Sequence, residues 1–413
     1  MKALRFLLPT VVAAVVVSSL SFAQSTAAEK DINAVQEFVK AKRTVNVRDK
    51  GGELSLSGDV RFEYQSVTES RAGTKQVGSS GVASAANHSY DVEVDLMLDY
   101  KTEDTWAGIK LEFDNNAGHY YTPMGTSNIG QANSVRLERA IIGYNIMEED
   151  AARLDVEVGR RHLYEVMESK IQFASVADSL RMKYSNSFAD VGAFYITAGA
   201  MIIDDRIDHY GWYTEAGLMD IADSGLYTKY SYIDWDNTGV DTAGVANVTT
   251  TPRTFRSRNS QLTVGYKFQP EALENDLKLY GAYLMNHAAK KIAFTNNKKK
   301  NKAWYLGAVV GKNEMAGDYS VEARYESVGA QAVSDIDVLG IGRGNAQGTS
   351  FVGTGWGNAN YKGYALEGAY NITDNLLFTM EYESSNAQDK KIPSSGDGRN
   401  SYHKFELEVI YAF

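Results

Sequence analysis

Apolar and polar side chains alternate with a period of two residues along many short segments of the chain. The first segment covers residues 54–64, where Leu56 and Phe62 fall on one face and Asp59 on the other. A second segment covers residues 90–100 and repeats the pattern. Because successive side chains of a β-strand point to opposite faces, each segment predicts a strand with one apolar and one polar face.

About sixteen segments of this kind are predicted, and a strand could be split or merged at the connections of middling length, residues 147–152 and 269–276. The segments begin near Leu54, Tyr90, Thr105, Val135, Arg153, Asp178, Val191, His209, Gly225, Gln261, Leu277, Ala303, Asp318, Lys362, Leu376 and Tyr402. Most of the gaps between them are clearly long, as at residues 66–88 and 329–361, or clearly short, as at residues 102–104 and 371–375. An even number of strands with alternating gaps predicts an all-β, antiparallel up-and-down barrel with short turns at one end and long loops at the other.

The polar faces are too charged for a dry core. The second segment places Asp91, Glu93, Asp95 and Asp99 on one face. Charged groups need water or counter-charges, and a hydrated lumen supplies both. The mean hydropathy of −0.33 agrees with a barrel in a membrane, because only alternate residues of each strand contact lipid.

The end of the chain carries the pattern most clearly. Residues 405–413 alternate large apolar side chains with mostly polar or small ones and stop on Phe413. This segment resembles the last strand of Gram-negative outer-membrane β-barrels, which the assembly machinery recognises. The compact turn from Asn371 to Leu376 resembles a periplasmic turn common in porins.

Over about residues 53–413 the chain therefore resembles Gram-negative outer-membrane porins of the general-diffusion type. The resemblance implies a transmembrane barrel with short periplasmic turns and long extracellular loops, and a homotrimer as the assembly. It also implies that the third outer loop folds into the lumen.

The amino terminus predicts export. Lys2 and Arg5 precede an apolar run, and Ser21 to Ala23 offers a signal-peptidase site, so residues 1–23 are predicted to be a signal peptide. Residues 24–52 are predicted to be a periplasmic segment with a short helix near Val35, or a spacer without further role. The barrel is expected to cover residues 53–413.

Composition excludes several classes of protein. The formal charge of −10 becomes −12 without the signal peptide, which argues against nucleic acid as a partner. Cysteine is absent, and no metal-spaced cluster, phosphate loop or nucleophile elbow occurs in the sequence. We expect no enzyme activity, cofactor or metal. All six histidines map to the outer side, which leaves a hydrolase site on the rim as a remote alternative.

Charged residues on the polar phase are the predicted pore lining. These candidates are Arg61, Glu63, Lys110, Glu112, Arg136, Arg139, Arg161, Arg181, Lys183, Lys229, Glu322 and Arg324. The phase of Arg136 and Arg139 is ambiguous, which predicts a β-bulge between them. Acids outnumber bases on the polar faces, so a weak cation preference is expected.

By count, the third outer connection covers residues 162–177. Its predicted constriction residues are Glu165, Glu168, Lys170 and Asp178. An acidic loop facing the basic wall of Arg160, Arg161 and Arg181 would set a transverse field. A separate outer loop collects Lys290, Lys291, Lys298, Lys299, Lys300 and Lys302, which indicates either a solvated surface or contact with anionic lipids or solutes.

These features together predict an outer-membrane channel for passive diffusion of small polar solutes and ions. The alternative is a structural or adhesive surface barrel with a plugged lumen. The expected partners are outer-membrane lipid, the permeating solutes, the barrel-assembly machinery at the carboxy-terminal strand, and further copies of the chain.

Overall fold

The structure is a computed structural model, in which part of the chain is described. The described residues are 44–47, 51–71, 74–77, 88–116, 119–121, 127–129, 134–205, 208–235, 256–271, 273, 275–292, 295–334, 337, 339–341, 359–392 and 401–413. The signal peptide predicted for residues 1–23 and the helix predicted near Val35 lie outside these ranges. No helix among the described residues is both long and apolar enough to cross a membrane.

Sixteen long strands form one antiparallel sheet, in which each strand pairs with the next along the chain. They are β1 Gly52–Arg71, β2 His88–Lys101, β3 Thr105–Asn116, β4 Ser134–Glu149, β5 Ala152–His162, β6 Val176–Phe188, β7 Gly192–Asp204, β8 His209–Met219, β9 Leu226–Asp234, β10 Arg258–Phe268, β11 Leu277–Asn286, β12 Lys302–Gly311, β13 Tyr319–Val328, β14 Tyr361–Thr373, β15 Leu376–Ala387 and β16 Ser401–Ala412. All begin within about three residues of the predicted positions, and the predicted fold class is confirmed.

The first and last strands close the barrel. Their pairing runs from Asp59 opposite Ala412 to Ser70 opposite Ser401. Beyond it, Gly58 and Phe413 exchange two backbone hydrogen bonds of 3.0 and 2.9 Å. The short strand Thr44–Val47 pairs with the start of β1, which β16 does not reach. Pairing therefore continues along both edges of β1.

The two faces of each strand differ as the alternation predicts. On β13, Val321 is 51% exposed while Glu322 is 3% exposed. Tyr319 and Tyr325 share the exposed face of Val321, and Ser320 and Arg324 share the buried face of Glu322. The exposed apolar positions form the outer surface of the barrel, and the polar positions line its interior.

Connections at the two ends differ in length. The Phe413 end carries short turns, including residues 102–104, 189–191 and 374–375. The opposite end carries the longer loops, which we name L3 (residues 163–175), L6 (287–301), L7 (329–360) and L8 (388–400). One connection on this side, residues 205–208, is short.

A β-bulge interrupts β4, as the phase of its sequence predicts. Arg139 pairs with Lys110, but the next pair joins Leu137 to Leu111, so Glu138 is the extra residue. The inserted residue shifts the side-chain phase by one position. Arg136 and Arg139 can therefore both lie on the interior side of the same strand.

Candidate functional site: the barrel lumen and loop L3

Loop L3 folds into the barrel and packs against its inner wall through apolar contacts. Leu163, Met167 and Phe173 are buried in one cluster with Tyr213 and Ile233. Ile171 belongs to a second cluster, with Tyr280, Tyr305, Val328 and Ile341 as members. These contacts reach from β8 to β13 and into L7, so the loop is fixed along its length.

Glu168 is the centre of the polar contacts of L3. Its carboxylate lies 2.7 Å from Lys229 Nζ and 3.8 Å from Lys278 Nζ, and it accepts a hydrogen bond of 3.3 Å from the Tyr227 hydroxyl. The Glu168 N–H donates to Glu215 at 3.1 Å. Two lysines of the wall thus neutralise one carboxylate of the loop.

Lys170 makes the second ionic contact of the loop. Its Nζ lies 2.7 Å from Glu322 Oε1, and both side chains are almost fully buried. Between the two charged residues, Ser169 donates to Gln261 Oε1 at 2.8 Å, and Gln261 Nε2 donates to the Glu168 carbonyl at 2.6 Å. The acid, the hydroxyl and the base of L3 are therefore each matched to a partner on the wall.

L7 holds the far end of L3. The Ser175 N–H donates to Asp337 Oδ1 at 3.1 Å, and the Leu339 N–H donates to the Ile171 carbonyl at 3.3 Å. Asp337 is fully buried, and its Oδ2 has no hydrogen-bond partner among the described residues. Burial raises the pKa of Asp337 to about 7, against the opposing effect of hydrogen bonds from Ser175 and Phe173.

The wall of β5 and β6 beside L3 is basic but internally paired. Arg161 contacts Glu157 at 2.9 Å and Glu165 at 2.7 Å, and Arg181 contacts Glu157 at 3.0 Å. Glu165 therefore belongs to this wall network and not to the contacts of Glu168. Lys183 lies 5.7 Å from the centre of the Tyr195 ring.

Lysines and tyrosines alternate around the inner wall between β6 and β11. Lys229 lies 6.0 Å from the Tyr195 ring and 5.6 Å from the Tyr227 ring, and Lys278 lies 5.2 Å from Tyr227 and 5.4 Å from Tyr280. Such distances allow cation–π attraction. Each ring also covers a glycine of a neighbouring strand: a Cβ on Gly217, Gly265 or Gly307 would meet a tyrosine ring at 2.4 Å or less. The glycines let the rings lie flat against the wall.

The opposite wall, from β14 through β16 to β3, is acidic. Its inner acids include Asp59, Glu63, Glu93, Asp95, Glu112, Glu367, Glu381, Glu383, Glu406 and Glu408, and its inner bases include Arg61, Lys110 and Lys404. Arg61 lies 3.7 Å from both Asp59 and Glu93 and 3.8 Å from Glu408. Arg324 of β13 contacts the Glu367 carboxylate at the edge of this wall. The lumen thus has one acidic wall and one wall with more bases. Of the predicted arrangement of an acidic L3 facing Arg160, Arg161 and Arg181, the structure contains the contact of Glu165 with Arg161.

Three acids of this wall could approach a common cation. Carboxylate oxygens of Glu93, Asp95 and Glu112 lie within 4.8 Å of one another. However, Arg61 lies 3.7 Å from Glu93, Lys110 2.7 Å from Asp95, and Arg136 2.8 Å from Glu112. One basic side chain accompanies each acid, so the charge of the cluster is already balanced.

The remaining predicted residues lie on different faces of the barrel wall. Arg136 contacts Glu112 at 2.8 Å and Arg139 contacts Asp99 at 2.7 Å, so both arginines reach inner acids. Asp178 does not lie with the constriction residues: it pairs with Arg160 at 2.8 Å, and its side chain is 47% exposed. It shares the outward phase of Leu180, which is 52% exposed. The same alternation removes Arg160 from the predicted basic wall.

Serine and histidine meet twice on the outer rim. Ser260 Oγ lies 2.7 Å from His287 Nε2, and Ser384 Oγ lies 3.1 Å from His403 Nδ1. Neither imidazole has a carboxylate hydrogen-bond partner among the described residues. His162 does contact a carboxylate, that of Glu138. Within the described ranges, these contacts assemble no Ser–His–acid triad of the kind that hydrolases use.

Several residues of the site are not among the residues predicted from the sequence. Lys278 contacts Glu168, and Lys404 contacts Glu381 at 2.5 Å. Both lie on the polar phase of predicted strands, so the period-two pattern contained the signal. Asp337 had no such signal, because its contact with L3 joins two loops that are distant in sequence.

Solved structures with a similar fold agree with the barrel architecture. No protein-family model matches the sequence, and the comparison with curated proteins finds no match. OprB of Pseudomonas putida is similar over 88% of this chain and 95% of its own, with a TM-score of 0.50 and 13% sequence identity. OmpF of Salmonella typhi, solved in complex with daunomycin, is similar over 90% of this chain and 100% of its own, with a TM-score of 0.50 and 14% identity. At this level of identity the likeness concerns the fold: the chain is a sixteen-stranded antiparallel β-barrel with a porin-like fold.

Proposed function

We propose that the chain forms a water-filled channel of the bacterial outer membrane, through which small polar solutes and ions diffuse passively. One observation carries the proposal: the charged side chains of the inner wall contact solvent. Arg61 is 17% exposed, Lys110 22% and Arg139 17%, although all three lie on the interior side of the barrel. Sixteen strands also enclose a wider space than side chains alone can fill.

The position of L3 agrees with a narrowed but open lumen. The described contacts of L3 are with strands β5 to β13 and with L7. The acidic wall from β14 to β3 therefore faces the lumen rather than the loop. A solute would pass between this wall and L3, with Glu168 and Lys170 held on the opposite side.

Weak cation preference is the second part of the proposal. The acidic wall has few inner bases, while the basic groups near L3 are shared among Glu157, Glu165 and Glu168. Fixed charges of one sign attract mobile ions of the other sign and raise their local concentration. No catalysed step is part of this function, and the solute gradient supplies the driving force.

The proposal is tested by recording the full-length protein in a planar lipid bilayer. Discrete conductance steps support a channel, whereas a membrane that contains folded protein and shows no steps supports the plugged surface barrel. The reversal potential in a salt gradient then gives the charge preference. A sign that indicates anion selectivity would contradict the cation preference without contradicting the channel.

The assembly and the route to the membrane are also proposals. We infer a homotrimer and export through the predicted signal peptide, followed by recognition of the carboxy-terminal strand. The placement of Phe413 at the short-turn end, hydrogen-bonded to Gly58, supports the last step, because this end of the strand lies where barrel closure occurs. Mass measurement of the detergent-solubilised protein tests the trimer directly.

A further inference from the structure

Eight exposed lysines surround one sector of the outer rim, formed by L6, L8 and the outer ends of β12 and β14. They are Lys290, Lys291, Lys298, Lys299, Lys302, Lys362, Lys390 and Lys391, and we call them the rim patch. Within the described part of the chain, the ion pairs include none from these eight lysines to a carboxylate. Asp389, an acid of the same sector, pairs with Lys300 at 2.6 Å.

Contacts between the loops hold the rim patch together. Asn296 of L6 donates a hydrogen bond of 2.9 Å to the Lys391 carbonyl of L8, and Lys300 of L6 reaches Asp389 of L8. Burial opposes ionisation of Asp389, but the hydrogen bonds from Lys300 and from the Lys391 N–H outweigh it and lower its pKa. The lysines of both loops are thereby kept in one surface.

Two members of the patch face sideways, away from the lumen. Lys302 shares the outward phase of Trp304, and Lys362 shares that of Tyr364; both aromatic side chains are exposed. Strand register places Trp304 opposite Ser327, and Ser327 opposite Lys362. Lys362 is therefore level with Trp304, two residues along the strand from the level of Lys302. With neighbouring strands about 4.8 Å apart and a rise of about 3.4 Å per residue, the backbones of the two lysines lie about 12 Å apart, with β13 between them.

The order of side chains from the rim downward matches the layers of a lipid leaflet. On β12 it is Lys302, Trp304 and Leu306, and on β14 it is Lys362, Tyr364 and Leu366. Aromatic residues mark the interface between headgroups and hydrocarbon. The lysines directly above them lie at the level of the lipid headgroups, where basic clusters attract anionic lipids.

We propose that the rim patch binds the phosphate groups of anionic lipids in the outer leaflet. Lys302 and Lys362 contact the headgroup from the side of the barrel, and the loop lysines of L6 and L8 surround it from above. Capture of anionic solutes at the channel mouth fits the geometry less well, because Lys302 and Lys362 point outward into the membrane plane. This interaction goes beyond diffusion through the lumen and does not depend on it.

The test is lipid retention by the full-length barrel, measured by native mass spectrometry while the detergent-solubilised protein is titrated with phosphatidic acid. Phosphatidylcholine, which has no net charge, is the comparison lipid. The variant Lys302→Gln with Lys362→Gln is expected to bind phosphatidic acid about tenfold more weakly, with phosphatidylcholine unaffected. The weakening should diminish as salt is raised, because the lysines are exposed.

The matched control is Lys267→Gln with Lys312→Gln, which removes two exposed lysines near the short turns at the other end of the barrel. It should leave retention of phosphatidic acid unchanged. Equal loss in both variants would overturn the proposal, as would undiminished binding by the rim variant. Inorganic phosphate at the same concentration should not displace the lipid; full displacement would indicate a site for free anions and would also overturn it.

A second variant keeps the test decisive if the rim double variant fails to fold. Lys390→Gln with Lys391→Gln lies entirely in L8 and leaves every barrel strand unchanged. It too should weaken binding of phosphatidic acid selectively. Conductance in bilayers of zwitterionic lipid should remain at the unmodified level for both rim variants, which separates failure of this proposal from failure of the proposed channel.

Discussion

Lys170 of the inward loop and Glu322 of β13 form a buried ion pair, with 2.7 Å between Nζ and Oε1. Arg324 lies farther from the same carboxylate, at 3.7 Å. The pair joins L3 to a strand on the far side of the apolar cluster that contains Ile171. It is one of the contacts that hold L3 against the wall.

Replacement of Lys170 by Met should release this end of L3. Breaking a buried pair from one side leaves an uncompensated charge and costs about 3–5 kcal/mol, although Arg324 will reduce the loss here. We expect a lower free energy of unfolding in urea and more current fluctuation in single channels. Adding Glu322→Gln should recover part of the stability, because it removes the stranded charge.

The control for this experiment is Lys312→Met, which removes a lysine paired with Glu314 on an exposed turn. Exposed pairs contribute about 0–1 kcal/mol, so little change is expected. If Lys170→Met were no more costly than Lys312→Met, the pair would not be fixing the loop.

Replacement of Glu168 by Gln should shift ion selectivity toward anions. The amide can keep a hydrogen bond with Tyr227 but leaves Lys229 and Lys278 without their shared carboxylate. We expect the ratio of cation to anion permeability to fall by about twofold or more, as read from the reversal potential in a salt gradient.

Asp178→Asn is the matched control for Glu168→Gln, since it also removes one carboxylate close to L3. Asp178 pairs with Arg160 on the outward phase, so its loss should leave the reversal potential unchanged. A shift of equal size in both variants would mean that selectivity depends on total charge and not on the position of Glu168.

The sequence predicted the strands that form the barrel wall better than the contacts that L3 makes inside the barrel. The period-two pattern gave the positions of about sixteen strands and a bulge between Arg136 and Arg139, because a period of two follows directly from strand geometry. It also contained the correct face of Asp178, which alternates in step with Leu180. Asp178 is next to L3 in sequence but lies on the outward face of β6, so its predicted place among the constriction residues is wrong.

Contacts of the folded loops could not be derived in the same way. The partners of Glu168 come from β8, β9 and β11, and those of Ser175 and Ile171 come from L7. Such contacts depend on how far L3 turns into the barrel. The alternation of side chains along a single strand gives no information about this distance. The alternating lysines and tyrosines likewise depend on strand stagger, although the glycines beneath the rings are visible in the sequence.

The contact between L3 and L7 should weaken as pH rises. Burial raises the pKa of Asp337 to about 7, whereas an unfolded aspartate titrates near 3.8. Between these values the folded state binds the proton more tightly, so stability is greatest below about pH 4 and falls as pH approaches and passes 7. Hydrogen exchange of the Ser175 and Leu339 amides, measured across this range and corrected for intrinsic rates, should show increasing local opening.

Asp337→Asn should remove this dependence, because the amide oxygen still accepts from the Ser175 N–H and carries no charge at any pH. Protection in the variant should remain near the low-pH value of the unmodified protein. Persistence of the same pH dependence in the variant would assign it to another group.

Replacement of Phe413 by Ala should slow assembly more than it lowers the stability of the assembled barrel. The Phe413 ring lies beside Gly58 at the closure of β1 and β16, while its backbone hydrogen bonds with Gly58 do not need the side chain. Loss of a partly buried phenylalanine should cost about 1–3 kcal/mol.

Phe405→Ala removes the same ring from the outer half of β16 and serves as the control. If recognition during assembly depends on the terminal ring, the fraction of heat-modifiable folded protein in cells should fall for Phe413→Ala. The same fraction should stay near normal for Phe405→Ala. The free energies of unfolding of the two variants in detergent should be similar. Equal yields of the two variants would show that the ring contributes to stability alone.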